Sequence, residues 1–480
     1  MSMISTTRQS RRVQPGAKPL RVDDFQRLDV PLLNPSIRTS QAMAWFNDRV
    51  ILGTGRAPLG FLGRFTAQQG EQAGGHRADT GGRDQDGAQV LAFDPLTETW
   101  DLAFESPIIR GRDGQPRARD RSVRAIGIAQ CSGDSAPTLY LGLGSLEGGV
   151  VILRSPDGKT FQECPGTGLG MEGDLPSIRT ILGWNGRVYT APTGRNYGRG
   201  MFDDNMTDFP MVYECADPMS GRWTPICEPG FGDSDNLSIN ELAAMGDYLY
   251  AATHNPRYGY QLWKTDRVGK PPYRWQKVLE RGAWRGPASA LPSAMYVFRG
   301  ALYVAGAIQR QGRGGRDRLG PFPGELIRVN SDDTWELVAG TARFTPSGLK
   351  RPVSGMTAGF NDRFTHVFWR FAEYQGVLYL GTSDWRWAPT YLVGRDDLSP
   401  AQTDRLREQT RAYRPGAFGL WATHDGAKWQ PVTTTGFVGS SETNYGIREL
   451  LCTPFGLFVA PTAKMGAGGG GGLELWWGYP

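Results

Sequence analysis

Long apolar runs are missing from this chain. No stretch approaches the roughly 20 residues that a membrane-crossing helix needs, so no membrane span is expected. The first nineteen residues carry Arg8, Arg11, Arg12 and Lys18 but no apolar centre, so no secretory signal is expected, and residues 1–19 read as a disordered basic lead-in. A cytoplasmic protein is therefore expected. Cysteine is scarce: five residues, none in a CxxC pair, cannot all form disulfides. Cys215 and Cys227 fall on one predicted hairpin close to facing register, yet without a secretory signal buried thiols are the expectation. Histidine is scarcer still, at four, and no spacing suits a metal. The charge excess is small, with 53 Lys+Arg against 48 Asp+Glu. That is too mild to single out nucleic acid as a partner.

What the chain has is glycine, tryptophan and repetition. Gly 65 and Trp 15 in 480 residues point to many short strands joined by turns. The clearest unit runs from Gly230 to Val278, as LSINELAAM, YLYAATH, QLWKTD and RWQKV. Its second strand recurs as VILGTG (50–55), LYLGLG (139–144), VYTAPTG (188–194), LYVAGA (302–307), LYLGTS (378–383) and LFVAPTA (457–463). A tight turn such as Asn47-Asp48, Asn185-Gly186, Gly246-Asp247 or Arg299-Gly300 precedes most of them, using residues that accept positive φ cheaply. The second unit instead carries CSGDSAP (131–137). A third strand follows each time, and then a polar turn and an aromatic: Trp100, Phe161, Trp223, Trp275, Trp335 and Trp429. Six aromatics serve seven units. The seventh unit ends without room for a fourth strand, and Arg21-Val22-Asp23-Asp24-Phe25 has the form of the missing one. The expected fold is all-β: a seven-bladed propeller of four-stranded antiparallel blades over residues 20–480, its ring closed by the N-terminal strand.

The turns SPDGKTF (155–161) and THDGAKW (423–429) resemble the Asp-box, or BNR-type, repeat, roughly Ser-x-Asp-x-Gly-x-Thr-Trp. Both are one residue shorter between Asp and Gly, and SDDTW (331–335) lacks the glycine. The resemblance implies a propeller and leaves activity open, because the motif is a structural turn in enzymes and binding modules alike.

Propeller topology sorts the loops onto two faces. The long insertions (56–86, 195–210, 309–323, 386–418 and 464–472) share the face of the second-to-third loops, where a site is expected. That face is rich in arginine. Arg56, Arg195, Arg257, Arg310, Arg386 and Lys464 follow the second strands, while Arg124, Arg179 and Arg448 enter the innermost strands. Asn240, Ser293, Gln41 and Trp369 hold the matching positions, and Arg370 adjoins Trp369. Guanidinium groups read planar anions through paired hydrogen bonds. The competing reading is that they pair with acids on the same face, among them Asp235, Asp384 and Glu449. The opposite face collects Asp94, Asp157, Asp217, Asp266, Asp332, Asp333 and Asp425.

Candidates for chemistry are thin. His254 and His366 end or enter strands on the insertion side, and Glu241 and Glu449 stand in matched INE and IRE contexts. They suit acid/base work or simple neutralisation of neighbouring arginines. The run 466–472 lacks the Lys-Ser/Thr of a phosphate loop, GTGLG (166–170) lacks a βαβ setting, and Asp233 to Asn236 lacks the rest of a calcium loop. No cofactor and no metal are expected. Ser399-Pro400 opens the one clear helix, expected as a surface lid or partner contact rather than core. The function expected is a binding or scaffold protein that takes an anionic glycan, a phosphorylated compound or an acidic protein surface. A lyase or glycoside hydrolase acting on an acidic saccharide is the alternative, and a purely structural component stays open.

Overall fold

The computed structural model describes residues 18–34, 37–56, 85–111, 114–145, 149–166, 169, 177–197, 201–203, 206–207, 209–307, 319–394, 398–463 and 472–480. Backbone pairing groups their strands into successive four-stranded antiparallel sheets. Sheet one is Ile37–Phe46, Arg49–Arg56, Gln89–Asp94 and Thr99–Glu105. Sheet two is Asp120–Ala129, Thr138–Ser145, Val151–Ser155 and Gln162–Glu163. Sheet three is Ser177–Trp184, Arg187–Thr193, Tyr213–Cys215 and Thr224–Pro225. Sheet four is Ser238–Met245, Tyr248–His254, Leu262–Thr265 and Gln276–Leu279. Sheet five is Leu291–Phe298, Ala301–Ala307, Glu325–Val329 and Trp335–Ala339. Sheet six is Thr365–Tyr374, Val377–Asp384, Phe418–Thr423 and Gln430–Thr433. Sheet seven holds Asn444–Thr453, Gly456–Ala463 and Leu475–Gly478.

The first strand of each sheet lies against the first strand of the next, and that of sheet seven lies against that of sheet one. The sheets therefore close round an axis with their first strands innermost: the fold is a β-propeller, and the pairing is consistent with seven blades. Tight approach between sheets explains a recurring small residue in the second strands. A Cβ on Gly53, Gly142 or Gly381 would come within 2.6, 2.1 and 2.6 Å of Val123, Ile178 and Ile447 on the neighbouring first strand.

The missing fourth strand of sheet seven is supplied from the N-terminus. Phe25–Leu28 pairs antiparallel with Leu475–Gly478, Phe25 opposite Gly478. This strand begins at Phe25, whereas the sequence pattern placed it over 21–25. Val22–Asp24 is instead a single 3-10 turn, because the Asp24 carboxylate accepts from the Arg21 N–H at 2.6 Å. Phe25 is buried and stacks 4.6 Å from Phe437. Its siblings are also aromatic wedges, Trp100 on Phe93 at 4.8 Å and Trp429 on Phe360 at 5.5 Å.

The turns behave as their residues dictate. Asn47, Asp48, Asn185, Arg299 and Gln375 all take positive φ before second strands. On the opposite face the aspartates hold turns together. Asp157 Oδ1 accepts from the Lys159 and Thr160 N–H groups at 2.8 Å each, and Asp425 Oδ1 from Ala427 and Lys428 at 2.9 and 2.8 Å. In both, the following glycine N–H donates to the Ser155 or Thr423 hydroxyl at 2.9 Å. Asp94, Asp217, Asp266 and Asp332 accept in the same local manner. The Asp157 carboxyl is held down at about 2, chiefly by the two backbone donors.

Cys215 and Cys227 do not face one another. Glu214 opposes Thr224, the Cys215 thiol donates to the Arg222 carbonyl at 3.1 Å, and Cys227 Sγ accepts from the Val212 N–H at 3.3 Å. Ser399 caps the helix Pro400–Thr410, with Gln402 returning the bond to the Ser399 N–H at 2.8 Å. This helix is more than a lid: Leu406 is fully buried in a cluster with Trp385, Trp387 and Tyr445. Among the described residues, no helix is long and apolar enough to cross a membrane.

Candidate functional site

Every one of the seven innermost strands carries an irregularity at the same level. The register against the second strand skips at Gln41, Arg124, Asn240, Ser293, Trp369 and Arg448, and in sheet three at Arg179 with Thr180. An extra residue in one strand kinks it and re-aims its side chain. The positions that sequence alignment of the repeats singled out are therefore bulge positions, forming one tier round the axis near the insertion face. The residues that resume pairing form the next tier: Ala42, Ala125, Ile181, Glu241, Ala294, Arg370 and Glu449. Three of these are alanines buried in the clusters between sheets, and three are charged.

Charge is concentrated here. Arg370 Nη2 donates to Glu449 Oε1 at 2.7 Å. The Arg448 guanidinium lies over the Trp369 ring, 5.2 Å from its centroid, a placement attractive to a cation. Among the described residues, no carboxylate comes within salt-bridge distance of Arg448, and none of its guanidinium N–H groups has a hydrogen-bond partner. Burial, reinforced by the positive charge of Arg370, pulls its pKa down to about 10. Glu241 and Glu449 are both pushed up by burial, opposed by the attraction of Arg370. Glu241 also feels Arg179 and Arg448. Groups from sheets three, four, six and seven thus share one electrostatic neighbourhood at the axis. Trp369 continues into an aromatic wall, with Tyr445 at 5.9 Å and Trp387 5.0 Å beyond it.

The two histidines sit apart. His254 has no exposed surface and neither ring nitrogen has a hydrogen-bond partner. Burial first, and the nearby Arg179 charge second, lower its pKa to about 3. It is neutral at pH 7. His366 donates from Nδ1 to the Phe322 carbonyl at 2.7 Å and packs 4.6 Å from Trp385. Its pKa is lowered to about 4, mainly by burial. Asn240 is buried, accepting from the Ser238 hydroxyl at 2.9 Å.

The outer arginines follow the other reading of the sequence, in which they neutralise nearby acids. Arg386 is buried between Asp384 and Asp362, with Asp362 at 2.8 Å, and lies over Phe364. Arg257 is exposed and pairs with Asp235 at 3.3 Å. In the loop before it, Gln261 donates to Asp233 and Asn236 donates to Gly230, so those oxygens serve a turn. Arg195 belongs to a small ribbon, Arg195–Tyr197 with Met201–Asp203, whose side chains are not described. Arg310 and Lys464 lie outside the described residues, as do most residues of the 56–86, 309–323 and 464–472 insertions and part of GTGLG, of which Gly166 and Leu169 are described. The structure thus brings Arg179, Arg448, Glu241 and Glu449 together, and adds Arg370 and Trp369. Their signal in the sequence was the shared repeat position and the one after it. Among the described residues, no group of three metal-ligating side chains converges.

No family model matches the chain, and no curated protein matches it. Similar solved structures include YCF48 from Cyanidioschyzon merolae, with TM-score 0.46 and 10% identity over 95% of this chain and 98% of that one. The propeller domain of the Trilobed protease from Pyrococcus furiosus gives TM-score 0.41 and 9% identity, covering 93% and 94%. The WD40 propeller domain of Doa1 gives 0.41 and 8%, covering 95% and 96%. The chain spans only 48% of another, PorZ of the Porphyromonas gingivalis type-IX secretion system, at TM-score 0.47 and 12% identity. Likenesses of this size bear on architecture and carry no argument about ligand or reaction.

Proposed function

We propose that this chain is a seven-bladed propeller, related to the Asp-box type through its Ser155 and Thr423 turns, that binds an anionic ligand or partner at the insertion end of its axis. The observation that supports this is Arg448: a guanidinium held on an aromatic face at a bulge, with no described carboxylate in salt-bridge distance. Low-dielectric walls strengthen its field at the axis. Arg179 and Arg124 occupy the same tier, so an anion entering there meets several guanidinium groups. The ligand classes that fit are an acidic glycan, a phosphorylated compound or an acidic protein surface.

The test is retention of the full chain on arrays of anionic glycans and phosphates. Wild type is expected to bind, and the double reversal Arg179→Glu with Arg448→Glu to lose at least tenfold in affinity while its melting stays cooperative. Arg448→Gln gives a milder check if the reversal does not fold. Retention unchanged in both variants sinks the reading. Turnover of an acidic oligosaccharide that depends on Glu241 would instead favour a lyase or hydrolase, because Glu241 is a carboxyl with raised pKa at the axis.

A further inference from the structure

The two tiers at the axis hold an opposed pair that the anion reading leaves unused. Arg448 belongs to sheet seven and Glu241 to sheet four, which face each other across a ring of seven sheets. Both are only partly buried by surface. Arg370 takes up Glu449, at 2.7 Å. No described residue hydrogen-bonds or ion-pairs with the end of Glu241 within 4 Å, and the same holds for the end of Arg448. The two groups feel each other's charge without touching.

We infer that the axial site binds a carboxylate that also carries a hydrogen-bond donor, with its anion on Arg448 and its donor, a hydroxyl or an ammonium, on Glu241. The Glu241 carboxyl offers hydrogen-bond-accepting oxygens, so it favours a ligand whose far end donates over a bare anion. Trp369, with Tyr445 beside it, offers an apolar face for the body of such a ligand. This inference rests on the anion reading above and sharpens it into a two-point recognition.

Calorimetric titration of the full chain with four small probes tests it. Glucuronate supplies carboxylate and hydroxyls, 4-aminobutyrate carboxylate and ammonium, hexanoate a carboxylate alone, and methyl glucoside hydroxyls alone. The expected result is that glucuronate or 4-aminobutyrate binds at least tenfold more tightly than hexanoate, with methyl glucoside weakest. Glu241→Gln should erase a preference for the ammonium probe yet retain much of a preference for the hydroxyl probe, since the amide still accepts. Glu241→Ala should bring either down to the level of hexanoate. Melting curves establish that each variant is folded, and the wild-type ranking alone decides if one is not. Hexanoate binding as well as the donors overturns this inference and leaves the anion reading standing. Failure of every carboxylate to bind also overturns this inference, and retention on the glycan and phosphate arrays then decides the anion reading by itself.

Discussion

His254 is enclosed, neutral and unpartnered at both ring nitrogens. A buried polar atom without a partner costs on the order of 1–3 kcal/mol, so this side chain burdens the fold. Its folded pKa, about 3, lies below the ordinary value near 6.5. Between those limits the unfolded chain binds the extra proton, so the contribution is complete above pH 6.5 and is lost as pH falls toward 3. His254→Leu is expected to leave the melting temperature at pH 7 unchanged or raised. Between pH 6.5 and 4 it should lose less stability than wild type, by up to about 1 kcal/mol per pH unit. Thermal melts across that range check it, and parallel pH profiles for the two proteins would refute the assignment. The ion pair at the axis behaves differently. Glu449→Gln removes the partner of Arg370 and should lower stability by about 1–3 kcal/mol, read from denaturant unfolding. Sequence could place Arg448 and Arg386 in the same arginine-rich face. It could not show that Asp362, 24 residues upstream, folds back to occupy one of them.

Within the strands, legibility followed periodicity. Alternation and paired turn residues mark the second strands well, because each is half of a tight hairpin. The bulges were invisible, since a bulge is a mismatch between two strands and neither alone records it. Repeat alignment nevertheless found their positions, as the same extra residue recurs in every innermost strand. The Gly/Ala position of the second strand has a steric cause that can be tested. Gly142→Ala drives a methyl into Ile178 and should cost about 1–3 kcal/mol as overpacking. Pairing it with Ile178→Ala, which removes the Cγ2 that the new methyl would meet, should cost less than the sum of the two single changes. Denaturant midpoints of the single and double variants decide this, and a neutral single variant would show that the sheets separate freely. The helix Pro400–Thr410 was legible from its cap alone. Its docking through Leu406 was not, because one leucine in a polar stretch carries almost no amphipathic signal.

At the scale of the whole molecule, the arrangement depends on residues far apart in sequence meeting at one seam. Phe25 to Leu28 close sheet seven, the Leu20 N–H donates to the Tyr379 hydroxyl at 2.8 Å, and Arg27 approaches Glu474 at 3.5 Å. Deleting residues 1–30 should lower the melting temperature by several degrees or more, whereas deleting 1–18 should change it little. Equal effects would show that the closing strand contributes nothing to the ring. The repeat count made this closure readable, because an aromatic fourth strand was missing at one end and spare at the other.

That seam also sets an order of events during synthesis. The strand that seals the ring leaves the ribosome about 450 residues ahead of its partner Leu475–Gly478. At about 5–20 residues per second, the early strand waits on the order of tens of seconds without its mate. A segment that must wait so long benefits from being short and poorly sticky. Phe-Gln-Arg-Leu, with its outward Gln26 and Arg27, is four residues long and exposes polar chemistry until the latch can engage.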